Sequence, residues 1–448
     1  MQKLSRGIGL LTLFALGALL AITAELSYGG WIQLPLLALL WWQMSKHQDL
    51  HLKNQLLLGL AFGVGYFVIG LWWIYISLHD VGGMNMLLSA AAVLMLSSYM
   101  ACFFSLATLS LKWFKTSKLI GLLLAASWVL LEFLRGIIFT GFPWMGFAET
   151  QVNGPFAPVA PILGGLACTF LVVWISWEIF RLKNTSVFSG ICIVLAITLS
   201  QLASVFTFTH PTSNLPAGLL HSIQQFSTAT SSTVLLGLIG EVAQTTGVQY
   251  SNRALGFSPD LPQYQYDKSH LVPFGEFVPP GFRWFVDAFH VPLSNFARGK
   301  LDQAPLSIAR PQQEIVNAAI TICYEDVFGG ELAARLRNST QPVNLLINMT
   351  NLAWFGKSQA PEQQLRLSQL RSLETGLPAL RATNTGITAV LGSKGEILAQ
   401  LPQFTQDTLS AKIQAYSGLT PYVIWGNMPI LTLSGLLLIF GLLRQKRI

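Results

Sequence analysis

Eight apolar runs constrain this chain more than any motif in it. They lie near 7–23, 27–44, 54–78, 86–111, 119–139, 156–180, 187–206 and 425–443. A helix that crosses a bilayer needs about 20 predominantly apolar residues. Only 10% of the residues are charged while 52% are hydrophobic, well below the roughly 25% charged of soluble domains. The chain is therefore expected to be a membrane protein. Gly29, Gly30 and Pro35 make the second run a poor ordinary helix. A cleaved signal peptide is the rival reading of residues 1–23, opposed by the further apolar runs and by the want of a small-residue cleavage site.

Charge placement sets the expected orientation. Lys3 and Arg6 precede the first run, and Lys46 and Lys53 separate the second from the third. Lys112, Lys115 and Lys118 follow the fourth, Arg181 and Lys183 the sixth, and Arg444, Lys446 and Arg447 the last. The loops at 79–85 and 140–155 hold no Lys or Arg. By the positive-inside rule both termini are cytoplasmic, and residues 207–424 face outward. The net charge of +7 is then topological and implies no nucleic-acid surface. The expected domains are a membrane bundle over 1–206, an extracytoplasmic domain over 207–424, and a transmembrane helix with a basic tail over 425–448.

Cys102, Cys168 and Cys192 fall inside apolar runs, which leaves Cys323 alone in the outer domain. A lone thiol in an oxidising compartment has no structural partner, so a reactive role is favoured. The sequence NAAITICYED ends a β-branched run on Cys323, and a helical stretch follows to Leu336. At a strand-to-helix turn, helix N–H groups favour a thiolate, which can carry an acyl group. The competing reading is an inert packed thiol, because free cysteine is among the most buried residue types. There is no CxxC or HExxH motif, so no metal is expected.

Within 207–424 the expected strands are Thr233–Ile239, Ala318–Tyr324, Val343–Met349 and Ile387–Leu391, and the expected helices are Leu215–Thr228, Gly330–Arg337 and Gln363–Thr375. Their alternation argues a layered α/β domain. The loop YDKSHLVPFGEFVP, punctuated by Pro273, Gly275, Pro279 and Pro280, carries Lys268, His270 and Glu276. It reads either as an ordinary solvated loop or as the source of an ammonium that stabilises a thiolate and an oxyanion. In the fifth run Glu132 and Arg135 share a helix face and are expected to pair. Phe142, Pro143 and Trp144 are expected at the outer interface, where aromatic anchoring is ordinary.

The stretches YDKSHLVPFGEFVP, ICYED and NMTNLAWFG resemble the apolipoprotein N-acyltransferases. FLRGIIFTGFPWMGFAETQ, YSNRAL and LRATNTGITAVLGSKGEI extend the resemblance from the third run to the C-terminal region, in order. It implies a multi-span α-helical membrane bundle of eight helices with an inserted α/β nitrilase-like (αββα) domain facing the periplasm from the bacterial inner membrane. It also implies a phospholipid:apolipoprotein N-acyltransferase. Cys323 would take a fatty acyl chain from a membrane phospholipid as a thioester and pass it to the diacylglyceryl-cysteine of an apolipoprotein. By the same resemblance Lys268 stabilises thiolate and oxyanion, and Tyr324, Glu325 and Glu276 support them. Trp354, Phe355 and Trp144 lie on the substrate side. A monomer without cofactor is expected.

The sequence also departs from the family pattern. A triad glutamate is expected in a WPET-like motif, and the local match, HPTSNLP, places Thr212 there. A threonine hydroxyl has no useful basicity at neutral pH. The domain also reads as shortened just before Thr212, Leu352 and Lys357 stand where acidic residues are usual, and Gln364 where histidine is frequent. Two readings follow: a divergent enzyme in which Glu276, Glu325 or His210 supplies the base, or a pseudoenzyme that binds lipid or lipoprotein without turnover. A transporter is a distant third, given so few charges within the runs, and a membrane-tethered amidase a fourth.

Overall fold

The computed structural model describes residues 2–181, 206–211, 218–244, 247–281, 283, 295–309 and 314–445. It divides into two compact units, one of Met1–Ala196, Lys357–Arg366 and Trp425–Ile448, the other of Ile197–Gly356 and Leu367–Ile424. The first unit holds helices α1 (Gln2–Thr23), α2 (Gly29–Ser45), α3 (Leu52–Gly70), α4 (Met86–Thr108), α5 (Ile120–Arg135) and α6 (Gly165–Arg181). Among the described residues three helices are long and apolar enough to cross a membrane: Leu52–Gly70, Met86–Trp113 and Met428–Gln445. Residues 187–205, most of one expected run, lie outside the described residues. Two other runs are interrupted: 54–78 breaks after Gly70, and in 156–180 the long helix begins only at Gly165.

Close packing in this unit depends on small residues, as expected where lipid offers helices no hydrophobic drive to associate. Gly17 of α1 and Gly65 of α3 form a reciprocal contact. A Cβ on either would collide with the backbone carbonyl of Phe62 or Phe14.

Polar side chains of the bundle find hydrogen-bond partners other than those expected. Arg135 is fully buried and donates from Nη1 to the carbonyls of Trp144 at 2.6 Å and Phe142 at 3.1 Å. Glu132 instead accepts from Thr169 Oγ1 at 3.1 Å. Glu132 and Arg135 still interact as opposite charges, as expected of a pair on one helix face, while their hydrogen bonds go to other partners, because the chain after α5 folds back and brings its carbonyls to the guanidinium. Trp144 is no interfacial anchor either. It is 3% exposed, lies 5.2 Å from the Trp73 ring, and donates with Trp73 to Gln363 Oε1, at 2.7 and 3.0 Å respectively.

The second unit is built on two sheets. The first has the order β1 (Phe206–Pro211), β2 (Val234–Gln244), β3 (Gly247–Phe257), β4 (Tyr264–Asp267). The second comprises β5 (Leu306–Ile308), β6 (Val316–Ile322), β7 (Leu345–Thr350), β8 (Ala379–Thr383), β9 (Ala389–Leu391) and β10 (Ile397–Gln400), in the order β10-β9-β8-β7-β6-β5. Strands β6, β7 and β8 run parallel, and the outer strands pair antiparallel.

Alternation along β2 shows the layering. Leu235 joins Ala254, Tyr266, Ile320, Ile347 and Leu380 in the core between the sheets. Leu236 and Leu238 point the other way and pack with Leu220 and Ile223 of α7 (Leu219–Thr230). On the second sheet, α8 (Gly329–Asn338) is tied in by Arg335, which donates to Ile320 O at 2.9 Å. Ser368 of α9 (Ala360–Thr375) accepts from Arg381 of β8 at 3.0 Å. β7 is buried along its whole length, as a strand covered on both faces must be. The αββα layering expected from the sequence is the one observed.

Candidate active site

β6 delivers Cys323 to the carboxyl end of the parallel strands, where open α/β sheets gather their chemistry. The chain there enters a tight 3-10 turn, Cys323–Val327, before α8. Cys323 has φ of 54°, a left-handed conformation that costs a non-glycine residue of order 1–3 kcal/mol and persists only where its surroundings over-determine it. The sequence reading ended the strand at Tyr324. The structure ends it at Ile322, so that Cys323 sits in the turn and the half-exposed thiol leaves the core.

Glu325 supplies much of that over-determination. Its Oε2 accepts from Ile322 N–H at 2.7 Å, closing the turn on itself. Its Oε1 accepts from Tyr266 Oη at 2.8 Å, Ser269 N–H at 2.7 Å, Ser269 Oγ at 2.5 Å and His270 N–H at 3.2 Å. One buried carboxylate thereby binds the cysteine turn to the loop that carries Lys268. Burial, reinforced by the Glu325 charge, pushes the Tyr266 phenol well above its ordinary value, so it remains a donor. With five bonds accepted, Glu325 is poorly disposed to act as a base.

Lys268 follows β4 and is fully buried. Its N–H donates to Asn252 O at 2.8 Å, and its carbonyl accepts from Gly299 N–H at 2.9 Å. Gly299 packs against the Asp267 carbonyl so tightly that no Cβ fits there. Lys268 Nζ donates to Glu276 Oε1 at 2.8 Å, and Asn252 Nδ2 donates to the same oxygen. Glu276 Oε2 accepts from Val272 N–H at 2.7 Å. Burial works to lower the Lys268 pKa, but Glu276, the Cys323 sulfur and Glu325 outweigh it and hold the ammonium above its ordinary value. Lys268 is therefore a cation felt by Cys323 and not a base. Both oxygens of Glu276 are engaged, Oε1 by that cation and Oε2 by the Val272 N–H.

The remaining predicted residues fall into three groups. Tyr324, 3% exposed, packs in an aromatic cluster with His270 and Phe328, at ring distances of 5.8 and 5.1 Å. His270 lies over Phe328 at 3.5 Å and meets Glu331 at 3.0 Å. Trp354 is 55% exposed on a short turn, Ala353–Phe355, with Phe355 half-buried beside it. Asn351 and Asn384 brace that turn: Asn384 donates to Asn351 Oδ1 at 2.7 Å and accepts from Leu352 N–H at 3.0 Å. Thr212 lies outside the described residues, and His210 enters only through the backbone of β1. Among the described residues no cluster of His, Cys, Asp or Glu is arranged to hold a metal ion.

Sequence reasoning missed Ser269, Asn252 and Asn384. Each stands inside a stretch already singled out (YDKSH, YSNRAL, LRATNTG), but only the fold reveals which polar side chain in those stretches turns inward.

A layered αββα domain with a cysteine on its strand-end turn and a buried lysine beside it defines the carbon–nitrogen hydrolase class. Residues 193–422 match the carbon-nitrogen hydrolase family, and residues 16–177 match the apolipoprotein N-acyltransferase N-terminal domain. The chain is 34% identical to the apolipoprotein N-acyltransferase of Ralstonia nicotianae, covering 96% of this chain and 93% of that one. It is 34% identical to those of Nitrosomonas europaea and Chromobacterium violaceum, over 92% and 86% of its length and 91% and 85% of theirs. The chain belongs to the apolipoprotein N-acyltransferase family of acyltransferase enzymes.

Proposed function

We propose that this protein transfers a fatty acyl chain from a membrane phospholipid to the N-terminal diacylglyceryl-cysteine of lipoproteins, through a thioester on Cys323. The observation that carries the reading is the pairing of a strained, half-exposed thiol with the buried Lys268 ammonium across one Glu325 bridge. In the first half-reaction the Cys323 thiolate attacks the ester carbonyl, and the oxyanion forms beside Lys268. Collapse breaks the ester C–O bond, the lysophospholipid alkoxide takes a proton from solvent, and acyl-Cys323 remains. In the second, the neutral α-amine attacks the thioester, an amide forms, the amine proton passes to solvent, and the thiolate leaves.

This route suits a chain with threonine at 212. A thiol already ionised beside an ammonium needs no general base to begin the first half-reaction. Glu276 and Glu325 then serve as holders of Lys268 and of the turn, in keeping with their engaged oxygens. The exposed Trp354, with Phe355, offers an aromatic surface to the incoming substrate. Trp144, buried and bonded to Gln363, acts at most by shaping the bundle. We place the domain on the periplasmic side of the inner membrane, on an eight-span bundle with both termini cytoplasmic, as the Lys and Arg pattern favours. A monomer suffices, since every residue invoked lies in one chain.

The test is the intact mass of purified protein after incubation with phosphatidylethanolamine vesicles, beside Cys323→Ala. A hydroxylamine-labile fatty-acyl adduct on the wild type alone is expected. A folded wild type that binds lipid and gains no adduct would overturn the reading in favour of a pseudoenzyme.

A further inference from the structure

Two carboxylates follow Cys323 in the same turn, and the mechanism above uses only Glu325. Asp326 belongs to a second network. Its Oδ1 accepts from Thr321 Oγ1 at 2.7 Å, and its Oδ2 accepts from Ser368 Oγ at 2.5 Å. Arg381 Nη1 donates to Ser368 Oγ at 3.0 Å and to Asn348 Oδ1 at 3.1 Å, and stands 3.9 Å from Asp326 Oδ2. Asn348 Nδ2 closes the ring by donating to Thr321 Oγ1 at 3.0 Å. The five residues come from β6, β7, β8, α9 and the cysteine turn, and none is more than 3% exposed.

The ring brackets the nucleophile, entering two residues before Cys323 at Thr321 and three after it at Asp326. It therefore fixes both ends of the segment whose backbone carries the positive φ. A guanidinium buried this deeply is costly unless its charge is answered. Burial pushes the Arg381 pKa down, while the Asp326 carboxylate and the Cys323 sulfur act to raise it. Such coupling is reciprocal: a sulfur anion that stabilises the cation is stabilised by it in turn.

We propose that Arg381 is a positioning residue for Cys323, holding the turn through the Asp326–Ser368–Asn348–Thr321 ring and placing a second cation, with Lys268, that favours the thiolate. The proposal rests on the reading of Cys323 as the nucleophile. It explains why an arginine is buried in the middle of a strand, where charge has no packing value.

The test is the pH dependence of Cys323 alkylation by iodoacetamide in the full-length protein, followed on the Cys323 peptide by mass spectrometry. Arg381→Met is expected to move the midpoint to higher pH and to slow alkylation at neutral pH roughly tenfold. Asp326→Asn, which removes the opposing carboxylate, is expected to move it to lower pH. Both variants disturb the same ring, so a merely structural role predicts shifts of one sign or none, and either result would overturn the proposal. Should Arg381→Met fail to fold, Arg381→Lys takes its place: a midpoint between those of wild type and a Lys268→Met control is expected, and a wild-type midpoint in both Arg381→Lys and Asp326→Asn overturns the idea. The readout needs no acyl transfer. A wild type that alkylates at low pH but gains no acyl adduct would defeat the functional reading and leave this one standing.

Discussion

The turn at Cys323 and the strand Phe206–Pro211 both stand at the end of a parallel pairing, yet they are built to different standards. β6 has a neighbour on each side, pairs with β7 in unbroken register from Ala318 to Ile322, and is followed by a turn whose two carboxylates accept seven hydrogen bonds. Among the described residues β1 pairs only with β2, in a four-stranded sheet, and its register shifts between Thr207 and Pro211. The difference teaches that the conformation of the Cys323 turn is over-determined by the carboxylates that follow it. An enzyme organised this way is expected to depend on a preformed thiolate.

The contrast can be broken most sharply at its strong end. Cys323→Ala is expected to abolish acyl transfer, a loss of about 10⁴-fold or more measured with a labelled phospholipid donor. Normal transfer by that variant would remove Cys323 from the chemistry. Lys268→Met is expected to cost roughly 10²- to 10³-fold in the same assay, the scale of losing one oxyanion donor. An intact rate there would mean that the ammonium only fills space.

Glu325→Ala is expected to lower stability by about 3 kcal/mol or more, since it strips a buried acceptor from several donors. Thermal unfolding in detergent measures this, and an unchanged Tm would show that the turn holds itself. At the weak end, Thr212→Glu is expected to leave Tm nearly unchanged and to raise acyl transfer by roughly tenfold, the modest side of general-base catalysis. A larger gain would show that the thiolate is not preformed.

The smallest effect is expected at the foot of the Lys268 loop. Asp267 is held by Arg253 at 2.7 and 3.2 Å, and by Ser251 and Gln265. Burial works to raise its pKa, but these bonds prevail and lower it. A depressed carboxyl pKa stabilises the fold above the unfolded-state value, and that stability fades as pH falls through the folded value. Arg253→Met should therefore lower Tm modestly at pH 7, and the gap to wild type should close as pH falls below the ordinary carboxyl range. A gap that persists in acid would assign the loss to packing.

Reading the sequence found the strands that flank the cysteine and missed those that carry polar cargo. Ala318–Tyr324 and Val343–Met349 are nearly continuous apolar runs, and the observed strands lie within three residues of them. β3 and β8 escaped because Gln249, Ser251, Asn252 and Arg253 in one, and Arg381 in the other, interrupt the apolar pattern. Those interruptions make the buried contacts around the cysteine and lysine: Asn252 holds Glu276, and Arg381 closes the ring behind Cys323. Local rules tend to fail where a site is being built.

The sequence by itself determined the apolar runs, the charge asymmetry, the solitary cysteine of the carbon–nitrogen hydrolase domain, and the lysine and glutamate motifs of the family. These are local, because hydrophobic period and motif spacing are properties of neighbouring residues. Only the tertiary structure decided that Glu325 bridges two segments, that Trp144 turns inward to Gln363, and that Asp326 and Arg381 meet. Each of these three joins residues far apart in the chain. A buried polar group takes whichever partner the fold brings within hydrogen-bond reach, and no local pattern carries that choice.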